Sequence, residues 1–204
     1  MKRSLATLVL LSAFAPLAHA ATLVFNYGIV YTGDTPSGTA PWMTVTLTDF
    51  AANTVDVKID HNATSGAGQF VSEVLLNLNP FVTISSATAI AGKTATFASA
   101  ASGSFPNAGT TFDVDVQLNT SNAGGGAQRL LPGDSLTVRL VGNGLSVANF
   151  DDLSNGGNQV RTMAHIQNTG GQLGSSKVTE GVPEPATMTV LAGIALAAAR
   201  RRRK

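Results

Sequence analysis

Twelve carboxylates, three histidines and no cysteine make up the reactive stock of this 204-residue chain. Without a thiol there is no disulfide, zinc–thiolate site, iron–sulfur cluster or cysteine nucleophile. Three histidines are too few for a multi-histidine metal centre. His165, between Ala164 and Ile166, is the one placed like a base. Asp113 or Glu73 would orient it, and a serine would attack. The chain lacks the Gly-x-Ser-x-Gly elbow that presents such a serine, so no catalytic residue is assigned and His165 is expected to be a hydrogen-bonded strand residue. His61, after Asp60 and before Asn62, is expected in a turn.

The acids fall into three pairs, Asp56/Asp60, Asp113/Asp115 and Asp151/Asp152. Asp113 and Asp115 project from one face of a predicted strand, roughly 7 Å apart at twice the rise per residue. Two acids so spaced would suit a glycosidase, although the wet side of a strand gives the same pattern. Calcium takes carboxylate and carbonyl oxygens from loops, and Asp151, Asp152 and Asn155 are the best candidate ligands; no other cofactor is implied. Trp42, Tyr27 and Tyr31 are candidate sugar contacts because aromatic faces stack on sugar rings, and core packing is the competing use. No glycine-rich stretch precedes a helix with Lys-Ser/Thr, as a phosphate cradle requires.

The elements that must carry these residues show period-two alternation between turn signals. Met43, Val45 and Leu47 alternate with threonines; Val55, Val57 and Ile59 alternate with Asp56, Lys58 and Asp60. These two runs predict a hairpin with a five-residue connection over 49–53. Phe112, Val114, Val116 and Leu118 form a third run, and Leu136, Val138 and Leu140 a fourth. Less regular strands are expected over 22–31, 69–78, 82–90, 94–98 and 160–167, and a short helix from Ser146. No fixed-period repeat is present. Eight or nine short strands with one wet face predict an all-β fold, an antiparallel β-sandwich of jelly-roll or immunoglobulin-like type. That domain is expected over 21–169, followed by a Gly/Ser-rich linker over 170–181 that would hold it off a membrane by up to about 40 Å.

The net charge of +1 conceals an asymmetry. Lys2, Arg3, Arg200, Arg201, Arg202, Arg203 and Lys204 hold seven of the thirteen basic residues, and between 21 and 181 six basic residues face eleven acidic ones. A negative domain without a basic patch repels phosphate backbones, so nucleic acid is not an expected partner. Residues 1–20 combine Lys2-Arg3, an apolar run from Leu5 to Leu17 and Ala18-His19-Ala20. A basic start, an apolar core and small residues at −3 and −1 make a secretory signal peptide, read by the translocon and cut by signal peptidase between Ala20 and Ala21. At the other end Pro183-Glu184-Pro185 precedes fourteen uncharged residues, Ala186–Ala199, and then the basic run Arg200–Lys204. As a helix the span is about 21 Å long, short against a hydrocarbon core of about 30 Å. The basic run would stop transfer and stay in the cytoplasm. The two prolines keep the backbone before the span extended, where a processing enzyme can grip it.

Residues 182–204 closely resemble the PEP-CTERM sorting signal of exopolysaccharide-producing Gram-negative bacteria: the Pro183-Glu184-Pro185 motif, a transmembrane helix over Ala186–Ala199 and the basic tail, in that order. The resemblance implies recognition by an exosortase, a multi-pass membrane enzyme, then removal of the tail and release or attachment outside the cell. This span departs from the usual pattern in being rich in Ala and Thr. The middle of the chain is similar, through Thr35–Trp42, Phe70–Pro80 and Ala164–Gln167, to the ectodomain of one group of such proteins, which brings no assigned activity with it. The expectation is therefore a non-enzymatic exported protein, anchored transiently in the inner membrane and then placed at the cell surface or in the extracellular matrix. A structural or biofilm role in contact with exopolysaccharide follows from the sorting class. The alternatives are a carbohydrate-binding module and a polysaccharide hydrolase.

Overall fold

Alternating apolar residues put one face of each strand in a core, and the chain closes that core by curling one sheet around it. The computed structural model describes residues 20–93 and 97–180. Ten strands follow in order: β1 (Thr22–Gly33), β2 (Met43–Ala51), β3 (Thr54–His61), β4 (Phe70–Leu76), β5 (Ser86–Gly92), β6 (Phe97–Asn107), β7 (Thr110–Leu118), β8 (Ser135–Val141), β9 (Thr162–Gln167) and β10 (Ser175–Glu180). All pairings are antiparallel, in the lateral order β5-β8-β3-β2-β1-β10-β9-β4-β7-β6. The two outer strands, β5 and β6, meet across a seam, so the sheet is nearly a closed barrel.

The all-β antiparallel class agrees with the alternation, but the sandwich is corrected: there is one continuous sheet, not two packed ones. The reason lies in β10. It pairs with β1 on one side, Val178 opposite Val30, and with β9 on the other, Val178 opposite Ala164. It thereby joins β5-β8-β3-β2-β1 to β9-β4-β7-β6. The expected linker over 170–181 covers this strand and is corrected with it. Residues 168–174 form the β9–β10 turn, where Asp34 Oδ2 accepts the amides of Leu173 and Gly174 at 2.7 and 2.8 Å. The expected signal peptide, the transmembrane span and the sorting tail lie outside the described residues. Among those described, no helix is long and apolar enough to cross a membrane.

The barrel interior is filled by Phe25, Tyr27, Val45, Leu47, Ile59 and Leu140 with their neighbours, all fully buried. Burying one such side chain contributes roughly 1.5–3 kcal/mol. Trp42, 5 % exposed, belongs to this core. The β2–β3 connection is tighter than expected. The turn is Ala52-Asn53, with Asn53 in the left-handed region at φ 64° and its side-chain oxygen accepting the Gly144 amide at 2.7 Å. The register slips between Asp49 and Ala51, leaving Phe50 on a bulge. The helix expected from Ser146 is a single 3-10 turn, Val147–Phe150, capped reciprocally by Ser146 and Asn149.

Antiparallel order sorts the loops. One end of the barrel carries the connections β2–β3, β4–β5, β6–β7 and β8–β9, the start of β1 and the end of β10. The chain thus enters and leaves the barrel at the same end.

Candidate functional site

Two places gather polar side chains beyond what the fold needs. The first is a row across the outer face of the sheet. Thr32 lies opposite Lys177, Lys177 opposite His165, His165 opposite Glu73, Glu73 opposite Gln117, and Gln117 opposite Ser99. Directly opposed residues share a face, so six polar side chains from six strands line up. Asn107, at the end of β6, completes the row. Its amide nitrogen donates to Glu73 Oε2 at 3.1 Å, and Lys177 Nζ donates to its oxygen. Beside Gln117 lies Asp115, whose Oδ2 accepts from Gln117 Nε2 at 2.8 Å. Asp115 is 6 % exposed, and its other oxygen has no hydrogen-bond partner among the described residues.

An open cleft of about 240 Å³ lies over this row, lined by Ser72, Glu73, Gln117, Leu118, Thr120 and His165. Burial raises the Glu73 carboxyl above its ordinary range and Asp115 raises it further, against the opposing pull of Lys177 and Asn107. Burial likewise raises Asp115. Burial and then Lys177 hold His165 below the ordinary histidine value, so its imidazole is neutral at neutral pH.

The sequence named His165 and Glu73 as potential partners, and β4–β9 pairing does set them side by side. They do not form a relay. A carboxylate orienting a catalytic imidazole raises its pKa, whereas Lys177 lowers this one. Ser72, the serine of the cleft, donates instead to the His165 backbone carbonyl at 3.2 Å. Asp113 is not part of the row's chemistry: its Oδ2 accepts the Leu78 amide at 2.9 Å. The expectation of Asp113 and Asp115 as two exposed acids is therefore corrected, because one fixes the end of β4 and the other is buried.

The remaining candidates scatter. Tyr27 is fully buried, its hydroxyl bonded to Thr162 Oγ1, and burial pushes the phenol far above its usual value. Tyr31 donates to the Asn158 carbonyl at 3.1 Å and packs beside the small apolar cluster of Leu75, Phe112 and Met163. With Trp42 also in the core, the sugar-stacking set of Trp42, Tyr27 and Tyr31 is corrected: these rings share no exposed face. The calcium set does not converge either. Asp151 pairs with Arg161 at 2.7 Å, and Asn155 exchanges backbone hydrogen bonds with Thr111. Among the described residues no three His, Asp or Glu side chains group to hold a metal ion. Asp56 is held by Arg139 through two bonds of 2.7 and 2.8 Å, and Asp60 by Lys58 at 2.8 Å. His61 ends β3, buried rather than in a turn. Its Nδ1 donates to the Leu130 carbonyl at 2.9 Å, and burial keeps the ring neutral.

The second place is where the chain leaves the barrel, and sequence reasoning missed it. Glu180, the last residue of β10 and only 7 % exposed, lies opposite Tyr27. Arg161, just before β9, binds both of its carboxylate oxygens, Nη2 to Oε2 at 2.9 Å. The same guanidinium reaches Asp151 Oδ1 at 2.7 Å and lies 5.5 Å above the Phe25 ring. Burial raises the Glu180 carboxyl, while Arg161 draws it back down. A mainly apolar cleft of about 400 Å³ opens beside the pair, lined by Leu153, Gln159, Val160, Arg161, Thr179 and Glu180.

The residues that continue from this point match a known sorting signal: the family description PEP-CTERM protein-sorting motif matches residues 181–204. The chain carries a PEP-CTERM sorting signal. It is therefore an exported protein processed at a membrane, and the tail is of the type handled by an exosortase. The match begins at the residue after Glu180, so the PEP-CTERM segment follows the bridging strand without an intervening linker. No curated protein and no solved structure matches the chain.

Proposed function

We propose that this is a non-enzymatic surface protein: a barrel exported across the inner membrane, held there by the span Ala186–Ala199, cut from it by an exosortase and delivered to the cell surface or extracellular matrix. The observation that carries this is the continuity of β10 with the PEP-CTERM motif at 181–204. The barrel is cargo, and the tail is its address. The matrix role comes from the sorting class, in which exopolysaccharide is the surrounding material. Replacing Pro183, Glu184 and Pro185 with Ala should leave the full-length precursor in the membrane fraction with its tail intact. Normal conversion to the shorter form would refute exosortase handling through this motif.

One observation favours a second reading, a hydrolase acting on matrix polysaccharide. Glu73 and Asp115 are neighbours whose carboxyls are both raised, as a general acid at neutral pH requires. The first reading is preferred because Asp115 is closed off from the cleft by its own burial and by Gln117.

A further inference from the structure

Three large apolar side chains stand in solvent at the end of the barrel where the chain leaves it. Phe50, on the β2–β3 bulge, is 59 % exposed; Phe81, between β4 and β5, is 54 % exposed; Leu153, between β8 and β9, is 47 % exposed. Among the described residues the opposite end offers only Leu173, and Val24, Ile29 and Ile90 lie along strands. Arg139 stacks on Phe50 with its guanidinium carbon 3.3 Å from the ring centre, placing a cation beside the outermost aromatic. Leu153 borders the apolar cleft whose wall includes Thr179 and Glu180.

The length of the tail limits how far this end can stand from the bilayer. Five residues, 181–185, separate Glu180 from the start of the apolar span at Ala186. Fully extended they reach at most about 18 Å. Headgroups occupy about 5–7 Å of that on each side of the hydrocarbon core. Glu180 is not the outermost point of the barrel. It pairs with Tyr27, and β1 continues back from Tyr27 to Thr22 beside β2. Those five further residues extend the barrel about 17 Å beyond the level of Glu180 along the strands. The β2–β3 hairpin therefore reaches as far toward the membrane as the stretched tail allows, and any slack presses it into the headgroups.

Resting on the anchored-precursor reading above, we propose that this end of the barrel is a membrane-resting face. In the precursor Phe50 and Phe81, whose loop lies beside Gly142 and the Asn53 turn, sit in the interfacial layer of the bilayer, while Leu153 stays back beside Glu180, and exosortase cleavage frees the face. The partner is the lipid surface itself. Aromatic and aliphatic side chains suit the interfacial layer. The acids nearby, Asp151 and Asp152, give no attraction to anionic lipid, so insertion is driven by apolar contact.

The test uses the full-length chain reconstituted in phosphatidylethanolamine/phosphatidylglycerol vesicles, with tryptophan introduced singly as Phe50→Trp, Phe81→Trp or Leu173→Trp. Trp42, in the core, supplies a constant background. Replacing part of the lipid with acyl-brominated phosphatidylcholine should quench most of the added emission at positions 50 and 81 and little at 173. Equal quenching at all three positions overturns the proposal, as does none at 50 and 81 in a chain that floats with the vesicles. A blue-shifted but unquenched residue at 81 assigns the face to a second copy of the chain and also overturns it. Failure of the chain to float with vesicles refutes the anchored precursor itself, and this face with it.

Discussion

Arg161 grips both carboxylate oxygens of Glu180, and Glu180 is the final residue of the strand that joins the two halves of the sheet. The sorting motif begins at the next residue, so in the anchored precursor proposed above any pull on the tail would reach the barrel here first. Removing one partner of a buried pair leaves an uncompensated charge, which costs about 3–5 kcal/mol when the pair is fully buried. Arg161 keeps 26 % of its side chain in solvent, which brings the expected loss for Arg161→Ala down to about 2 kcal/mol. Glu180→Gln removes the charge but keeps the shape, and should cost less. The double variant Arg161→Ala/Glu180→Gln should recover part of the loss, because no charge is left buried. Urea unfolding of all four chains measures this, and purely additive losses would show that the pair acts through packing alone.

The His165 ring is held below its ordinary pKa by burial and by Lys177. A depressed histidine favours the fold in its neutral form. That stability is complete above the unfolded value, about 6.5, and is lost as pH falls toward and through the folded value. His165→Gln has no proton to take up. Relative to the parent, the variant should therefore gain in melting temperature as pH falls from 7.5 to 5, whatever its offset at 7.5. A contribution of 1 kcal/mol moves the midpoint by about 2–4 °C in a chain of this size. Glu73 has the opposite sign: its raised carboxyl favours the fold when protonated, and that benefit is lost as pH rises through the folded value. A pH-independent difference between parent and His165→Gln would mean that the ring is not held neutral by its surroundings.

How much of this was legible follows residue by residue. Strands with a clean apolar stripe, such as Val55-Val57-Ile59 on β3 and Leu136-Val138-Leu140 on β8, announce themselves because alternate residues must face the core. β10 does not. Of Ser175-Ser176-Lys177-Val178-Thr179-Glu180 only Val178 is apolar. Its other inward positions are Ser176, whose buried hydroxyl has no hydrogen-bond partner among the described residues, and Glu180, whose charge Arg161 satisfies. With β10 hidden, the sheet divides into two halves, and two halves look like a sandwich. β6 is hidden for a related reason: an outer strand built from Ala, Ser and Gly carries too little side chain to show a period. The Glu73–His165 neighbourhood could be guessed from residue type, but its register depends on a slip between Val71 and Glu73 that no local pattern encodes. The Arg161–Glu180 pair left no signal, because Arg161 stands in a loop and Glu180 fell within the expected linker.

The tail supplies the last prediction. In the anchored precursor proposed above, the fourteen residues Ala186–Ala199 would make at most about 21 Å of helix against a hydrocarbon core of about 30 Å. Alanine and threonine contribute less to insertion than leucine, so hydrophobicity alone would hold such a span weakly. Arg200, Arg201, Arg202, Arg203 and Lys204 would compensate in two ways. Drawing even one of these charges to the bilayer centre costs about 2.5–3.5 kcal/mol, and long basic side chains that snorkel to the cytoplasmic surface would lengthen the effective span. Deleting 200–204 should therefore let the segment slip through. The chain should leave the membrane fraction and appear outside the inner membrane with Pro183-Glu184-Pro185 uncut. Fractionation with a label in the β2–β3 turn reports location, and the mass of the product reports cleavage. Unchanged retention and processing of the truncated chain would show that Ala186–Ala199 is held by something other than its basic end.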